Sequence, residues 1–245
     1  MKIYGLIGNP LGHSFSQKFF TQKFAKENIP DCSYLNFEIK DLDKEIPGLK
    51  KDPLIHGLNV TIPHKSAIIS YLDNVSAECK AIGACNCIKI TKGKWAGYNT
   101  DTTGFEKSFN PLLQPQHTRA LILGTGGSSK AVAYVLKKLK IDFLFVSRKK
   151  EQQNTVSYDF LTPDLMREYP IVINTTPLGM YPNLNGYPQL PYEAISERNY
   201  FFDLIYNPSK TLFLSKAEEK GALIKNGEKM LSIQAEESWK IWNTD

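Results

Sequence analysis

Two hydrophobic periods alternate along this chain. Short apolar runs that end in small polar residues read as strands over residues 2–8, 33–39, 56–61, 121–123, 169–174 and 200–205. Between them, apolar positions recur at helical spacing. A helix is expected over 16–27, with Phe20 and Phe24 one turn apart and Lys18, Lys23 and Lys26 left to solvent. A second follows the glycine cluster at 124–127, where Ala131, Val132, Val135, Leu136 and Leu139 form one stripe. A third covers 211–220 and stops at Gly221, and a fourth covers 228–242. Pro63 suits the first turn of a helix, so another is expected from there through Ile68, Ile69 and Leu72. Residues 85–91 and 95–99 read as a hairpin about Lys92-Gly93-Lys94, 110–116 as a linker, and 151–165 as a polar loop with one short helix. Alternating strands and helices place the chain in the α/β class.

The segment from 121 to 151 is the most specific. A strand, a glycine-rich turn, a helix and a second strand follow one another there, the arrangement that holds a dinucleotide. In the turn Gly124-Thr125-Gly126-Gly127-Ser128, Gly124 allows a tight exit from the strand and Gly126 a close approach of backbone N–H groups to a pyrophosphate. About twenty residues on, an acid would pair with the ribose 2′-OH of NAD. Ser147, Arg148 and Lys149 stand there instead and suit a 2′-phosphate, so the expected cofactor is NADP(H). A solvated lysine-rich edge is the other reading of that cluster.

Composition narrows the classes. With 245 residues, 42% hydrophobic and 22% charged, the chain can bury a sizeable core as one or two domains. Net charge is 30 − 25 = +5, spread without a long basic run, so nucleic-acid binding is not expected. No segment reaches membrane-spanning length and the N-terminal apolar run is short for a signal peptide, so a cytoplasmic protein is expected. Cys32, Cys79, Cys85 and Cys87 read as reduced thiols, and His13, His56, His64 and His117 lack ligand spacing, so no metal is expected.

Small polar groups crowd three loops: 8–16, 59–65, and the pair 83–87 with 97–101. With the hairpin centred on Gly93, partners sum to 186, which sets Asn86 opposite Thr100 and beside Asp101. Lys65 falls in the expected helix's first turn, where the dipole disfavours an ammonium while a nearby Asp101 favours it. A Lys–Asp pair suits proton transfer to or from a hydroxyl or carbonyl oxygen during hydride transfer. Ser14, Ser16, Asn59, Thr61 and Asn86 suit hydrogen bonding to a small polyhydroxylated substrate. Each has a second reading: Asp101 as the cap of a helix near Thr103, Ser14 or Ser16 as the cap of helix 16–27, Lys65 as a surface lysine.

Taken in order, these motifs resemble the shikimate dehydrogenase family nearly end to end. The substrate loop GNPxxHSxSP corresponds to 8–17, NVTxPxK to 59–65, GAxNT to 83–87, NTDxxG to 99–104 and GxGGxxxA to 124–131. NTTPxGM corresponds to 174–180, DxxYxP to 203–208 and GxxMLxxQA to 227–235. The resemblance implies NADP-dependent, reversible reduction of 3-dehydroshikimate to shikimate on the route to chorismate and the aromatic amino acids. It implies an N-terminal α/β substrate domain over 1–103, completed by the helix 228–245, and a Rossmann-type NADP-binding domain over 104–227, with the active site in the interdomain cleft. It further implies Lys65 and Asp101 as catalytic residues, and Tyr206 and Gln234 beside Ser14, Ser16, Asn59, Thr61 and Asn86 on the substrate. Thr176, Leu204 and Gly227 join the glycine loop and the basic edge on the cofactor. The protein would be a monomer or homodimer with small-molecule partners.

Three departures from the pattern stand out. Gln17 replaces a proline and is expected to loosen its helix start, Cys87 replaces a threonine and removes a hydroxyl near substrate, and Ser147-Arg148-Lys149 replaces Asn-Arg-Thr. A relative acting on quinate or preferring NAD, and a non-catalytic dinucleotide-binding regulatory module, are the competing functions.

Overall fold

The computed structural model describes residues 1–12, 15–148 and 153–244 and divides the chain into two compact units. The first comprises Met1–Asp101 with Ser232–Asp245, the second Thr102–Leu231.

The first unit is built on β1 (Lys2–Gly8), α1 (Phe15–Lys26), β2 (Cys32–Glu38), α2 (Leu42–Leu49), β3 (Ile55–Val60), β4 (Asn74–Val75), α3 (Ala77–Ile82), β5 (Cys87–Thr91) and β6 (Lys94–Tyr98). Its mixed sheet has the order β2-β1-β3-β5-β6-β4, with β1 parallel to β2 and β3, and β5 antiparallel to β3 and β6. Alternation along β1 sends Tyr4 and Leu6 to one face and Ile3 and Ile7 to the other. The former face packs on Phe20 and Phe24 of α1, the latter on Leu42 and Ile46 of α2.

The second unit contains α4 (Asp101–Phe109) beyond its first residue, β7 (Arg119–Leu123), α5 (Gly127–Lys138), β8 (Asp142–Val146), β9 (Thr155–Val156), α6 (Pro163–Glu168), β10 (Ile171–Asn174), β11 (Tyr200–Asp203), α7 (Leu212–Glu218), β12 (Leu223–Lys225) and the start of α8 (Glu228–Asn243). Its strands are all parallel in the order β12-β11-β10-β7-β8-β9. Renumbered from β7, that is the doubly wound order of a dinucleotide-binding Rossmann fold. Ala120 and Ile122 face α4 and α5, while Leu121 and Leu123 face α6 and α7. Residues 110–116 lie inside this unit, with Leu112 and Leu113 packed on its core, so they are not a linker.

Two further expectations need correction. The helix from Pro63 is a turn followed by a 3₁₀ segment, Ala67–Tyr71. The Lys65 carbonyl, which an α-helix would give to Ile69 N–H, is taken by Cys85 N–H at 2.7 Å, and Ile69 turns to Ser66 instead. The hairpin closes on Lys92-Gly93, both with positive φ, so partners sum to 185 (Cys87↔Tyr98) and Asn86 falls opposite Asn99 by continuation. Gln17 sits inside α1 and its Oε1 accepts from Asn36 Nδ2 at 3.0 Å, a tie between helix and sheet where the pattern has proline.

Candidate active site

The polar loops converge because the first sheet brings them to one edge. The C-terminal ends of β1, β3 and β6 and the beginning of β5 all open on that side, delivering 8–12, 59–65, 84–86 and 99–101 together. Lys65 comes from the turn after β3, held by its own carbonyl and by His64, whose Nε2 lies 2.7 Å from the Ile39 carbonyl. Asp101 opens α4, where the helix dipole favours a carboxylate.

Lys65 Nζ and Asp101 Oδ2 are 2.6 Å apart, with only 12% and 7% of their side chains exposed. Asp101 Oδ1 accepts from Asn86 Nδ2 at 2.8 Å, so both carboxylate oxygens are engaged. The helix start is held by Asn99, whose Oδ1 accepts from Asp101 N–H at 3.1 Å and whose Nδ2 donates to the Ala84 carbonyl at 2.8 Å. The capping reading of Asp101 therefore gives way to a paired, buried carboxylate. Lys65 is not in an α-helical first turn, and the dipole argument for it falls with that helix.

A buried hydrogen-bond chain extends from the pair. Asn86 Oδ1 accepts from Thr100 N–H at 2.7 Å, and its Nδ2 also meets Thr100 Oγ1 at 3.0 Å. Thr100 Oγ1 lies 3.3 Å from Gln234 Oε1 and 3.2 Å from Ser238 Oγ, both on α8. Ser238 accepts from Asn59 Nδ2 at 2.9 Å, and Asn59 Oδ1 accepts from the Tyr34 hydroxyl at 2.9 Å. Ser16, the second residue of α1, bonds the same Tyr34 hydroxyl and is therefore not the helix cap. Burial pushes the Tyr34 phenol well up, so it stays neutral. Thr61 is half-buried at the end of β3, its N–H donating to the Ile7 carbonyl at 2.8 Å.

Most of the expected substrate residues thus share one polar cluster of the first unit. Ser14 lies outside the described residues, and Tyr206 belongs to the second unit, half-buried in the loop after β11. Thr100, Ser238, Asn99 and Tyr34 carry the network without having been singled out for function. For Ser238 the available signal was its place one helical turn after Gln234. Cys87 is fully buried beneath α8, its thiol against Ser238 and Trp242, and burial pushes it up to about 12. It is a core residue, so the donor missing at position 87 is missing from the core.

In the second unit the glycine turn is tight and leaves open space over the start of α5. Gly124 has φ +101°, and a Cβ there would meet Thr175 Oγ1 at 2.9 Å. Gly126 caps α5 without a side chain, and a Cβ there would meet nothing within 4 Å, leaving open space over the helix start. Thr125, Gly127 and Ser128 complete the turn, half-buried. Ser129 is buried in the third-glycine region, its hydroxyl donating to the Gly126 carbonyl at 2.6 Å. Thr176 is held at the end of β10 by Asn174 Oδ1, which accepts from its N–H at 3.0 Å and its hydroxyl at 2.7 Å. Leu204 and Gly227 meet backbone to backbone: a Cβ on Gly227 would land on the Leu204 carbonyl oxygen. Ser147 follows β8 half-buried, and Arg148 is exposed beside the Tyr158 phenol; Lys149 lies outside the described residues.

Among the described residues, no helix is long and apolar enough to cross a membrane, and no three His, Cys, Asp or Glu side chains gather as a metal site.

Comparison with known proteins agrees with this geometry. Residues 6–88 match the model of the shikimate dehydrogenase substrate binding domain. Shikimate dehydrogenase (NADP(+)) of Methanococcus maripaludis is 37% identical over 98% of this chain and 91% of its own. The crystal structure of shikimate dehydrogenase 1 from Peptoclostridium difficile is 37% identical, with TM-score 0.86 over 99% of this chain and 91% of that one. Shikimate 5-dehydrogenase from Thermus thermophilus, solved in complex with NADP(H) and shikimate, is 28% identical, with TM-score 0.86 over 99% and 94%. Identity at that level along almost the whole of both chains, on a fold with the same two parts, settles the kinship: this chain belongs to the shikimate dehydrogenase family.

Proposed function

We infer that the chain is an NADP-dependent shikimate dehydrogenase that interconverts 3-dehydroshikimate and shikimate on the route to chorismate and the aromatic amino acids. The observation that carries this reading is the Lys65–Asp101 pair at 2.6 Å, oriented by Asn86 inside a cluster of hydroxyls and amides. NADP(H), when bound, supplies the hydride acceptor or donor. The glycine turn 124–128 receives its pyrophosphate, Thr176 and the Leu204–Gly227 backbone flank it, and Ser147, Arg148 and Lys149 take the 2′-phosphate.

The remaining work falls to the chain's own side chains. As the substrate's C–H bond gives up its electron pair as hydride, its O–H bond gives up a proton to the Lys65–Asp101 pair; in reduction the pair returns that proton to the carbonyl oxygen. Asp101 holds the Lys65 amino group at the reacting oxygen, as the neutral amine that takes the proton in oxidation and the ammonium that returns it in reduction, and Asn86 fixes the carboxylate's rotation. Asn59, Thr61, Ser14, Ser16 and Gln234 bind the ring hydroxyls and carboxylate of the substrate. The enzyme works in the cytoplasm as a monomer or homodimer; its dispersed charge supports small-molecule rather than nucleic-acid partners.

The test follows reduced-nicotinamide absorbance with shikimate or quinate and with NADP⁺ or NAD⁺. Turnover is expected with shikimate and NADP⁺, and Lys65→Ala is expected to lower kcat by roughly 10²–10⁴-fold. No turnover of shikimate by folded wild type overturns the reading, and faster turnover with quinate or NAD⁺ reassigns substrate or cofactor.

A further inference from the structure

Ser238 is fully buried on α8, and its single hydroxyl faces Asn59 Nδ2 at 2.9 Å, Thr100 Oγ1 at 3.2 Å, the Gln234 carbonyl at 2.9 Å and the Cys87 thiol. One proton and two lone pairs serve these neighbours, so the directions follow from chemistry. The Asn59 amide has a single sensible orientation. Its Nδ2 also faces the Asn86 carbonyl at 3.2 Å, and turning it over would set oxygen against oxygen. Asn59 therefore donates to Ser238. The Ser238 proton goes to the Gln234 carbonyl four residues back, the bond a buried helical serine commonly makes. The second lone pair is contested by the Cys87 S–H and the Thr100 hydroxyl; a thiol is the weaker donor, so the lone pair goes to Thr100, whose hydroxyl donates.

That assignment matters for Gln234. Thr100 accepts from Asn86 Nδ2 and has one proton to give, with Ser238 Oγ at 3.2 Å and Gln234 Oε1 and Asn86 Oδ1 both at 3.3 Å as takers. If Ser238 takes it, Gln234 Oε1 keeps only a long 3.5 Å approach from Asn86 Nδ2. We propose that Ser238 is a positioning residue: its hydroxyl draws off the Thr100 proton and leaves the Gln234 side chain available to a ring hydroxyl of the substrate. Without that oxygen, Thr100 donates to Gln234, because Asn86 Oδ1 already accepts from Thr100 N–H at 2.7 Å, and holds the Gln234 amide inside the protein.

This inference rests on the proposed activity, and steady-state kinetics of the full chain separate the two. Ser238→Ala is expected to raise KM for shikimate about tenfold, with kcat and KM for NADP⁺ within about twofold, about 1.4 kcal/mol of substrate binding. In a Gln234→Ala background the same substitution is expected to add little, because the partner it acts through is gone. An unchanged KM in Ser238→Ala, or the full penalty persisting beside Gln234→Ala, overturns the proposal. Thermal unfolding of each variant identifies a fall in activity that follows from loss of folded protein, and KM is read on the folded fraction. A wild type that fails to turn over shikimate fails earlier, at the activity itself, and takes the proposal with it.

Discussion

At the end of β11, Asp203 is fully buried and accepts from Asn174 Nδ2 at 3.0 Å, Ile205 N–H at 3.0 Å and Thr211 Oγ1 at 2.6 Å. It thereby ties Asn174, and through it Thr176, to the start of α7, which Thr211 caps. Burial outweighs these three donors and pushes the carboxyl up to about 7. Its value in the folded state lies above that of the unfolded chain, so folding takes up a proton between the two. Stability from this group is full below about pH 4 and is lost as pH rises through about 7. Asp203→Asn cannot ionise, so its stability is expected to fall less than the wild type's between about pH 5 and about pH 8, by about 2–3 kcal/mol, and its Tm with it. Parallel Tm profiles would mean that Asp203 holds no proton in this range. Lys65, Asp101 and Asn86 could be read from the sequence because each sits in a dense run of small polar residues beside a strand end. Ser238 could not: a lone serine in a helix carries no sign of what lies across from it, and its partners come from β3 and the residues beside β5 and β6.

Among the elements, those with several residues of regular pattern were legible. Continuous apolar runs, buried on both faces, mark β1, β3, β7, β10 and β11, and the 3.6 period marks α1, α5 and α8. The short pieces were not: β4 and β9 have two residues each and β12 three, too few for any period. α2 carries Pro47 inside it, which argues against a helix, yet Asp41 caps it and Leu42 and Ile46 anchor it to the sheet. The helix expected at Pro63 lost to a tertiary bond, as Cys85 took a carbonyl that the helix needed. α8 owes its start to Gly227, whose N–H donates to the Ile205 carbonyl at 3.0 Å and whose missing Cβ lets the backbone rest on Leu204. Gly227→Ala puts a methyl against a backbone oxygen that has no rotamer to yield. It is expected to cost about 2–3 kcal/mol in denaturant unfolding, and an unchanged midpoint would mean that this turn shifts without strain.

At the scale of the whole molecule, each unit has its own sheet and its own cores on the two sheet faces. The strand–helix alternation made both sheets foreseeable, and the glycine turn marked which one takes the dinucleotide. That the last helix finishes the first unit was harder to see. Its reason is aromatic: Trp239 and Trp242 lie 5.2 and 4.9 Å from the Tyr4 ring, and Gly57 makes room for Trp242, where a Cβ would meet the indole at 2.5 Å. This division predicts a division of ligands. The candidate proton-transfer pair and most of the substrate groups belong to the first unit, the glycine turn and Thr176 to the second. Amide hydrogen exchange with each ligand alone should separate them. Shikimate is expected to slow exchange over 59–65, 84–86, 99–101 and the α8 turn at 234–238, and NADP⁺ over 124–129 and 174–178, because bound segments open less often. Shikimate protecting only 124–129, or NADP⁺ protecting only 84–101, would reverse the assignment of ligands to units, and with it the roles given to Lys65 and Asp101.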